Sequence, residues 1–255
     1  MGKVHDQSDT FVEPTALTLA LSRRERGLRV GRLRGSGCLL AGRLLLLLAC
    51  LAAAAARAEP AGQPGAWRSL FDGRSLGQWE VVGRYEFHGH GKVEVRDGRL
   101  VLAAGQPGTA VRWTGEVPKI DYELRLEAMR VEGDDFFCGL TFPVGKSFCS
   151  LILGGWDGSI CGLSSIDGEP AAENATAFHL DVEKGKWYRV RLRVTRAKIE
   201  AWIEDRKAID LPTEGTTLAI RFPEEAATPL SLATWRTSGA FRRLEIRTLA
   251  GTSRP

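Results

Sequence analysis

From Trp67 onward the chain alternates short β-branched, aromatic and leucine-rich runs with Gly, Pro and Asp turns, and no segment keeps a helical period. Four runs alternate strictly. In residues 122–128, Tyr122, Leu124 and Leu126 point one way and Glu123, Arg125 and Glu127 the other. Tyr188, Val190, Leu192 and Val194 likewise oppose Arg189, Arg191 and Arg193, and Ile199, Ala201 and Ile203 oppose Glu200, Trp202 and Glu204. Leu244 and Ile246 oppose Arg243, Glu245 and Arg247. Period two with one charged face predicts half-buried antiparallel strands. Opposite signs on neighbouring strands would pair across the ladder. The simplest reading of these carboxylates is a solvated outer face of interleaved Glu and Arg, not a set of catalytic acids. The clearest hairpin is Val93-Glu94-Val95-Arg96, Asp97-Gly98, Arg99-Leu100-Val101-Leu102. An Asp-Gly loop of two residues favours a type I′ turn, setting Val95 against Leu100 and Val93 against Leu102 on one buried face. The sum is an all-β sandwich or barrel.

Two runs break the charged alternation. Residues 136–142 (Phe-Phe-Cys-Gly-Leu-Thr-Phe) and 149–156 (Cys-Ser-Leu-Ile-Leu-Gly-Gly-Trp) carry no charge. A sheet this apolar is covered on one face and carries small or polar groups on the other. Ser150, Gly154 and Trp156 share one face, as do Gly139 and Thr141. Glycine inside a strand marks a close approach by a ligand or backbone, so a groove is expected here.

Charge changes the picture at the front of the chain. The formal net charge is +4, but residues 1–58 hold nine Lys and Arg against four acids, which leaves 26 basic and 27 acidic residues behind them. A near-neutral body has neither the basic face that nucleic acid needs nor a polybasic membrane patch. Leu44 to Ala56 is an unbroken apolar run of 13 residues, too short to span ~30 Å of hydrocarbon. It follows an arginine-rich stretch and ends in Ala56-Arg57-Ala58, a small-x-small cleavage signal. The expectation is a signal peptide over residues 28–58, cut after Ala58, and hence a periplasmic or extracellular protein. An alternative uses Leu47-Leu48-Ala49-Cys50, which resembles a lipobox and would anchor the chain through a lipid on Cys50. Residues 1–27 are expected to be a disordered, non-native extension, with the true start near Leu28 or Val30. The remaining divisions are a linker over 59–66, the sandwich over 67–249 and a tail over 250–255.

Export leaves Cys138, Cys149 and Cys161 in a compartment that permits disulfides. Cys138 and Cys149 fall on two strand-like runs joined by Pro143-Val144-Gly145-Lys146, so a Cys138–Cys149 bridge with Cys161 free is one expectation. Zinc is the weaker one, because no C-x-x-C spacing is present.

Ser69-Leu70-Phe71-Asp72-Gly73-Arg74-Ser75-Leu76-Gly77-Gln78-Trp79 resembles the opening signature of the family once called DUF1080, now described as the 3-keto-disaccharide hydrolase domain. Asp121-Tyr122-Glu123-Leu124, Asp135-Phe136-Phe137-Cys138-Gly139-Leu140, Gly155-Trp156, Gly162-Leu163-Ser164-Ser165-Ile166-Asp167-Gly168, Lys186-Trp187-Tyr188 and Leu232-Ala233-Thr234-Trp235-Arg236 extend the resemblance over residues 67–249. It implies a concanavalin A-like jelly roll of two antiparallel sheets, acting on glycosides oxidised at carbon 3. A ketone there acidifies the hydrogen on carbon 2, whose removal expels the aglycone from carbon 1. Such a site needs one positioned base and a stabiliser for the enolate, not two carboxylates flanking the bond. A lectin-like carbohydrate-binding sandwich is the competing reading, since such folds host both.

Several residues are candidates for that site. Asp134 and Asp135 follow Gly133, and either is a base, a metal ligand or a solvated turn acid. Trp156 and Asp157 offer a sugar-stacking face beside a carboxylate, or a half-buried core Trp. Ser164, Ser165 and Asp167 place hydroxyls and an acid on a connection that also carries Glu173 and Asn174. Trp235 and Arg236 end an apolar strand, with Arg236 a donor to a keto or enolate oxygen or else part of edge packing. A divalent metal is a further possibility. Its histidines would be His88, His90 and His179, and a flexible loop is the plainer reading of the first two. No Ser-His-Asp set or phosphate loop stands out.

Overall fold

The computed structural model describes residues 65–220 and 222–249. The expected signal peptide, the extension before it, the Cys50 anchor, most of the linker and the tail lie outside the described residues. No helix among the described residues is long and apolar enough to cross a membrane.

The strands, in chain order, are β1 (Arg68–Ser69), β2 (Trp79–Val81), β3 (Val93–Arg96), β4 (Arg99–Leu102), β5 (Gly108–Trp113), β6 (Tyr122–Glu132), β7 (Cys138–Val144), β8 (Ser147–Gly155), β9 (Ile160–Ser164), β10 (Phe178–His179), β11 (Trp187–Val194), β12 (Lys198–Ile203), β13 (Arg206–Pro212), β14 (Ser231–Trp235) and β15 (Ser238–Thr248). One sheet runs β13-β12-β11-β6-β15-β4-β3, with β1 also paired to β15; the other runs β10-β9-β8-β7-β14-β5-β2. All pairings are antiparallel, and one core unites Leu124, Leu126, Val190 and Leu192 of the first sheet with Leu140, Leu151, Leu163 and Leu232 of the second. This is the jelly-roll sandwich expected from the sequence.

The Asp97-Gly98 turn forms as read, with φ of 52° and 74° and with Val95 against Leu100 and Val93 against Leu102. The four alternating runs become β6, β11, β12 and the second half of β15, and their apolar members enter the core.

Their charged face differs from a solvated one. Glu123 is fully buried and Glu200 nearly so. One register row crosses the sheet as Arg247, Glu123, Arg193, Glu200 and Asp210, so each Glu meets a cation on a neighbouring strand. Arg193 Nε donates to Glu123 Oε1 at 2.7 Å, Arg247 holds Oε2, and Lys198 and Lys207 bridge Glu200 and Asp210. A bulge in β15 turns both Arg242 and Arg243 onto Glu127, at 2.6 and 2.8 Å. Guanidinium groups stack on tryptophans above this row, with Arg125 and Arg247 over Trp67 and Arg191 over Trp202 at 3.8 Å. Long arginines lie flat over short carboxylates and exclude water from them.

The expected disulfide does not form. Cys138, Cys149 and Cys161 are free, buried thiols. The β7–β8 hairpin turns at Gly145-Lys146, which pairs Cys138 with Leu153 and Cys149 with Phe142. The two cysteines share a face but sit four positions apart, about 13 Å along the strands, where a bridge requires under ~7 Å between Cα atoms. Burial pushes the Cys149 and Cys161 thiols up to about 12, which leaves them unreactive.

Candidate functional site

The seven-stranded sheet turns a different outer face to its surroundings. Ser231, Thr141, Ser150 and Ser164 form one row across β14, β7, β8 and β9, all buried. The next row is Ala110, Ala233, Gly139, Ile152 and Gly162. These small residues make a shallow trough, roofed by Phe87, Ala171 and Phe222. This is the low-charge sheet with small groups on one face that the sequence pointed to.

The trough opens at one end into a cleft of about 120 Å³ lined by Asp135, Phe136, Ile152, Gly155, Trp156 and Trp235. Aromatic rings build its walls. Phe136 lies 6.1 Å from Trp235, nearly parallel to it, and Phe222 stacks on the same indole at 6.2 Å. Two tight turns deliver the remaining groups. Trp156 and Asp157 after β8 and Arg236 after β14 all take left-handed backbone, at φ of 46°, 68° and 49°. Each costs a non-glycine residue about 1 kcal/mol or more, and such strain gathers at functional sites.

Asp135 is held from both sides. Its N–H donates to Thr237 Oγ1 at 2.9 Å, and its Oδ1 accepts the Phe136 N–H at 2.7 Å. Oδ2 makes no hydrogen bond with the described residues. Burial pushes the carboxyl above the ordinary range, and the nearby Asp134 adds to that; the Phe136 N–H, Arg236 and Arg130 pull the other way and do not cancel it. Asp135 is therefore a stronger base than a surface aspartate, with the cation of Arg236 beside it.

The sequence candidates separate in space. Asp135, Trp156 and Trp235 line the cleft, and Asp134, Asp157 and Arg236 flank it in the adjoining chain. Ser164 sits in the buried hydroxyl row, one row along the strands from that of cleft-lining Ile152, with its Oγ unpartnered among the described residues and outside the cleft lining. Ser165 pairs its backbone with Ala219, and Asp167 Oδ1 caps the Thr217 N–H at 2.7 Å, so both tie down the connection after β9. Asn174 is a scaffold residue. Its amide donates to the carbonyls of Leu163, Glu169 and Pro170, and its Oδ1 accepts from Thr176. Glu173 is exposed on that connection and is not among the residues lining the Asp135 cleft. His88 and His90 each pair Nδ1 with a nearby carbonyl, and no group of three or more His, Cys, Asp or Glu among the described residues could hold a metal ion.

Reading the sequence passed over Phe136 and Ile152 as lining groups, and Arg130 and Thr237 as their supports. Arg130 was legible in principle. Continuing the alternation of Tyr122, Leu124, Leu126 and Ala128 by one more step puts an arginine on the inward face of β6, where it is 4% exposed. Thr237 carried no signal, because its role depends on which loop it meets. A larger groove of about 860 Å³ crosses the outer face of the other sheet, lined by Arg125, Glu127, Arg189, Arg242 and Glu245 among others. Among its carboxylates, Glu127, Glu204 and Glu245 are held by arginines, and Asp72 accepts from the Arg74 and Ser75 N–H groups.

A family model described as the 3-keto-alpha-glucoside-1,2-lyase-like domain matches residues 66–247, and the chain belongs to that family. It is thus a carbohydrate-directed jelly roll, glycosyl hydrolase-like or carbohydrate-binding. No curated protein matches its sequence. A protein of unknown function with a galectin-like fold from Bacillus subtilis is similar in structure, at 11% identity and a TM-score of 0.51, over 73% of this chain and 96% of that one. The Crh5 transglycosylase, solved in complex with NAG, is similar at 10% identity and a TM-score of 0.50, over 74% of this chain and 86% of that one. Both likenesses are of fold.

Proposed function

We propose that the chain cleaves 3-keto-glycosides by general-base elimination in the Asp135 cleft. Asp135 Oδ2 takes the proton from carbon 2. The electron pair forms the bond between carbons 2 and 1 through an enolate on the carbon 3 oxygen. The bond from carbon 1 to the aglycone oxygen breaks, and the aglycone leaves as an alcohol after gaining a proton. Water added across the new double bond yields the free 3-keto sugar. Arg236 supports the enolate oxygen as a charged donor, and burial, with a smaller push from exposed Asp134, keeps the proton affinity of Asp135 high. Trp156 and Trp235 hold the sugar ring. One observation carries this reading: a partly desolvated carboxylate lines one cleft with two indoles, within the field of the Arg236 cation, where family membership implies a substrate that needs one base.

The test is aglycone release from matched 3-keto and unoxidised glucosides bearing one chromogenic aglycone. Release from the keto substrate alone, lost in Asp135→Asn, supports the mechanism. Binding of either sugar without release would give the cleft to the second reading, a carbohydrate-binding module, which the paired indoles favour. Export is part of the proposal, and a secreted form beginning at Glu59 is its expected sign.

A further inference from the structure

Arg130 is an arginine in a core position. It extends the inward-facing series of β6 and pairs with Gly239 of β15 in the first sheet, yet its guanidinium crosses to groups of the second. Arg130 Nη2 lies 2.7 Å from Gly158 O, 2.9 Å from Gly154 O and 3.1 Å from Asp135 O. The face of Phe137 lies 5.4 Å from its carbon Cζ. Two of the three carbonyls bracket the turn that presents Trp156 and Asp157, and the third belongs to Asp135. The fit is close on both sides. Gly154 takes left-handed backbone at φ 72°, which favours glycine by itself, and a Cβ there would also meet Nη2 at 2.4 Å.

We infer that Arg130 is the positioning residue of this cleft, clipping the Asp135 segment to the Gly154–Gly158 turn and so fixing the base against the Trp156 wall. The inference rests on the reading of the cleft as the active site. Arg130 touches no substrate. It acts by geometry, because a shift of ~1 Å in a base is worth about 100-fold in rate. It also acts by charge. The groups facing Asp135 are Arg130 from β6, Arg236 from the turn after β14, Asp134 beside it and the Phe136 N–H. The groups facing Arg130 are Cys161, Asp134, Asp135 and Tyr188.

Arg130→Met and Arg130→Lys, made in the full chain, separate the two actions. Turnover of a chromogenic 3-keto-glucoside is read together with the carboxyl titration of Asp135 by 13C NMR, assigned through Asp135→Asn. In folded Arg130→Met we expect kcat to fall about 100-fold at nearly constant KM, and Asp135 to titrate at higher pH. Arg130→Lys should return the titration toward wild type while kcat stays low, since lysine ends one bond short of the Nη2 position on which the three carbonyls converge. A folded Arg130→Met with wild-type kcat and wild-type Asp135 titration overturns the inference. If the Met variant fails to fold, the Lys variant decides it: lowered kcat sustains the clip and full activity overturns it. If the wild-type chain releases no aglycone, the functional reading falls. The clip is then judged by the Asp135 titration and Trp156 fluorescence of the variants, which must move together for it to stand.

Discussion

Asp135 pays for its position in stability, and that gives the first test at the residue scale. Its carboxyl is held above the ordinary range in the folded chain chiefly by burial, so the folded state holds its proton more tightly than the unfolded state does. A raised value means that the protonated carboxyl stabilises the fold at low pH, and that this is lost as pH rises through the folded value. At neutral pH the ionised group is a net cost. Asp135→Asn is therefore expected to raise Tm slightly at pH 7, with the gain vanishing in acid, while abolishing aglycone release. Differential scanning calorimetry across pH measures the first and the chromogenic assay the second. The same sign sets the rate profile: kcat/KM should fall as pH drops through an apparent value above that of a free aspartate. A profile whose acid limb lay below the ordinary carboxylate range would remove Asp135 as the base.

At the scale of elements, the β3–β4 hairpin shows how turn chemistry fixes register. Gly98 sits at φ 74° with nothing within 4 Å of where a Cβ would be, so Gly98→Ala meets only a conformational penalty. It should cost about 1 kcal/mol in urea unfolding and leave activity unchanged. That hairpin, the alternating strands and the low-charge sheet were legible because each follows from local pattern. The cysteine pairing was not. A connection over residues 143–146 would set Cys138 opposite Leu151 and the actual Gly145-Lys146 turn sets it opposite Leu153, so two cysteines on adjoining strands do not meet in either register, and apolar residues throughout β7 and β8 gave no alternation to show it. The cleft was half legible. Asp135, Trp156 and Trp235 stood out by type, whereas Asn174 and Asp167 looked identical in kind and proved to be loop supports. A side chain's partners across the fold, such as Thr237 for Asp135, are not written in its neighbours along the chain.

The whole molecule divides its labour between two sheet faces. One outer face is roofed, apolar and strained at its end, and opens into the cleft. The other is a closed ionic lattice on which the sandwich rests. Glu123 is the centre of that lattice, fully buried between Arg193 and Arg247. Burial alone would raise its carboxyl, but the hydrogen bonds and charge of Arg247 and Arg193 outweigh burial and hold it below the ordinary range. A depressed value means that the stabilisation is present above the unfolded carboxylate range and is lost as pH falls through the folded one. Glu123→Gln strips the charge from between two arginines. It should destabilise by about 2–3 kcal/mol at neutral pH, less than the ~3–5 of a fully buried pair because both arginines keep one side toward solvent. The wild-type and Gln unfolding curves should converge only as pH falls through the depressed folded value, below the ordinary carboxylate range, since protonation then makes the native Glu123 equally neutral. The mutation leaves the cleft untouched, so aglycone release at low temperature should match wild type. A Gln variant as stable as wild type at pH 7 would make the lattice dispensable and leave the hydrophobic core as the sole support of the eight-stranded sheet.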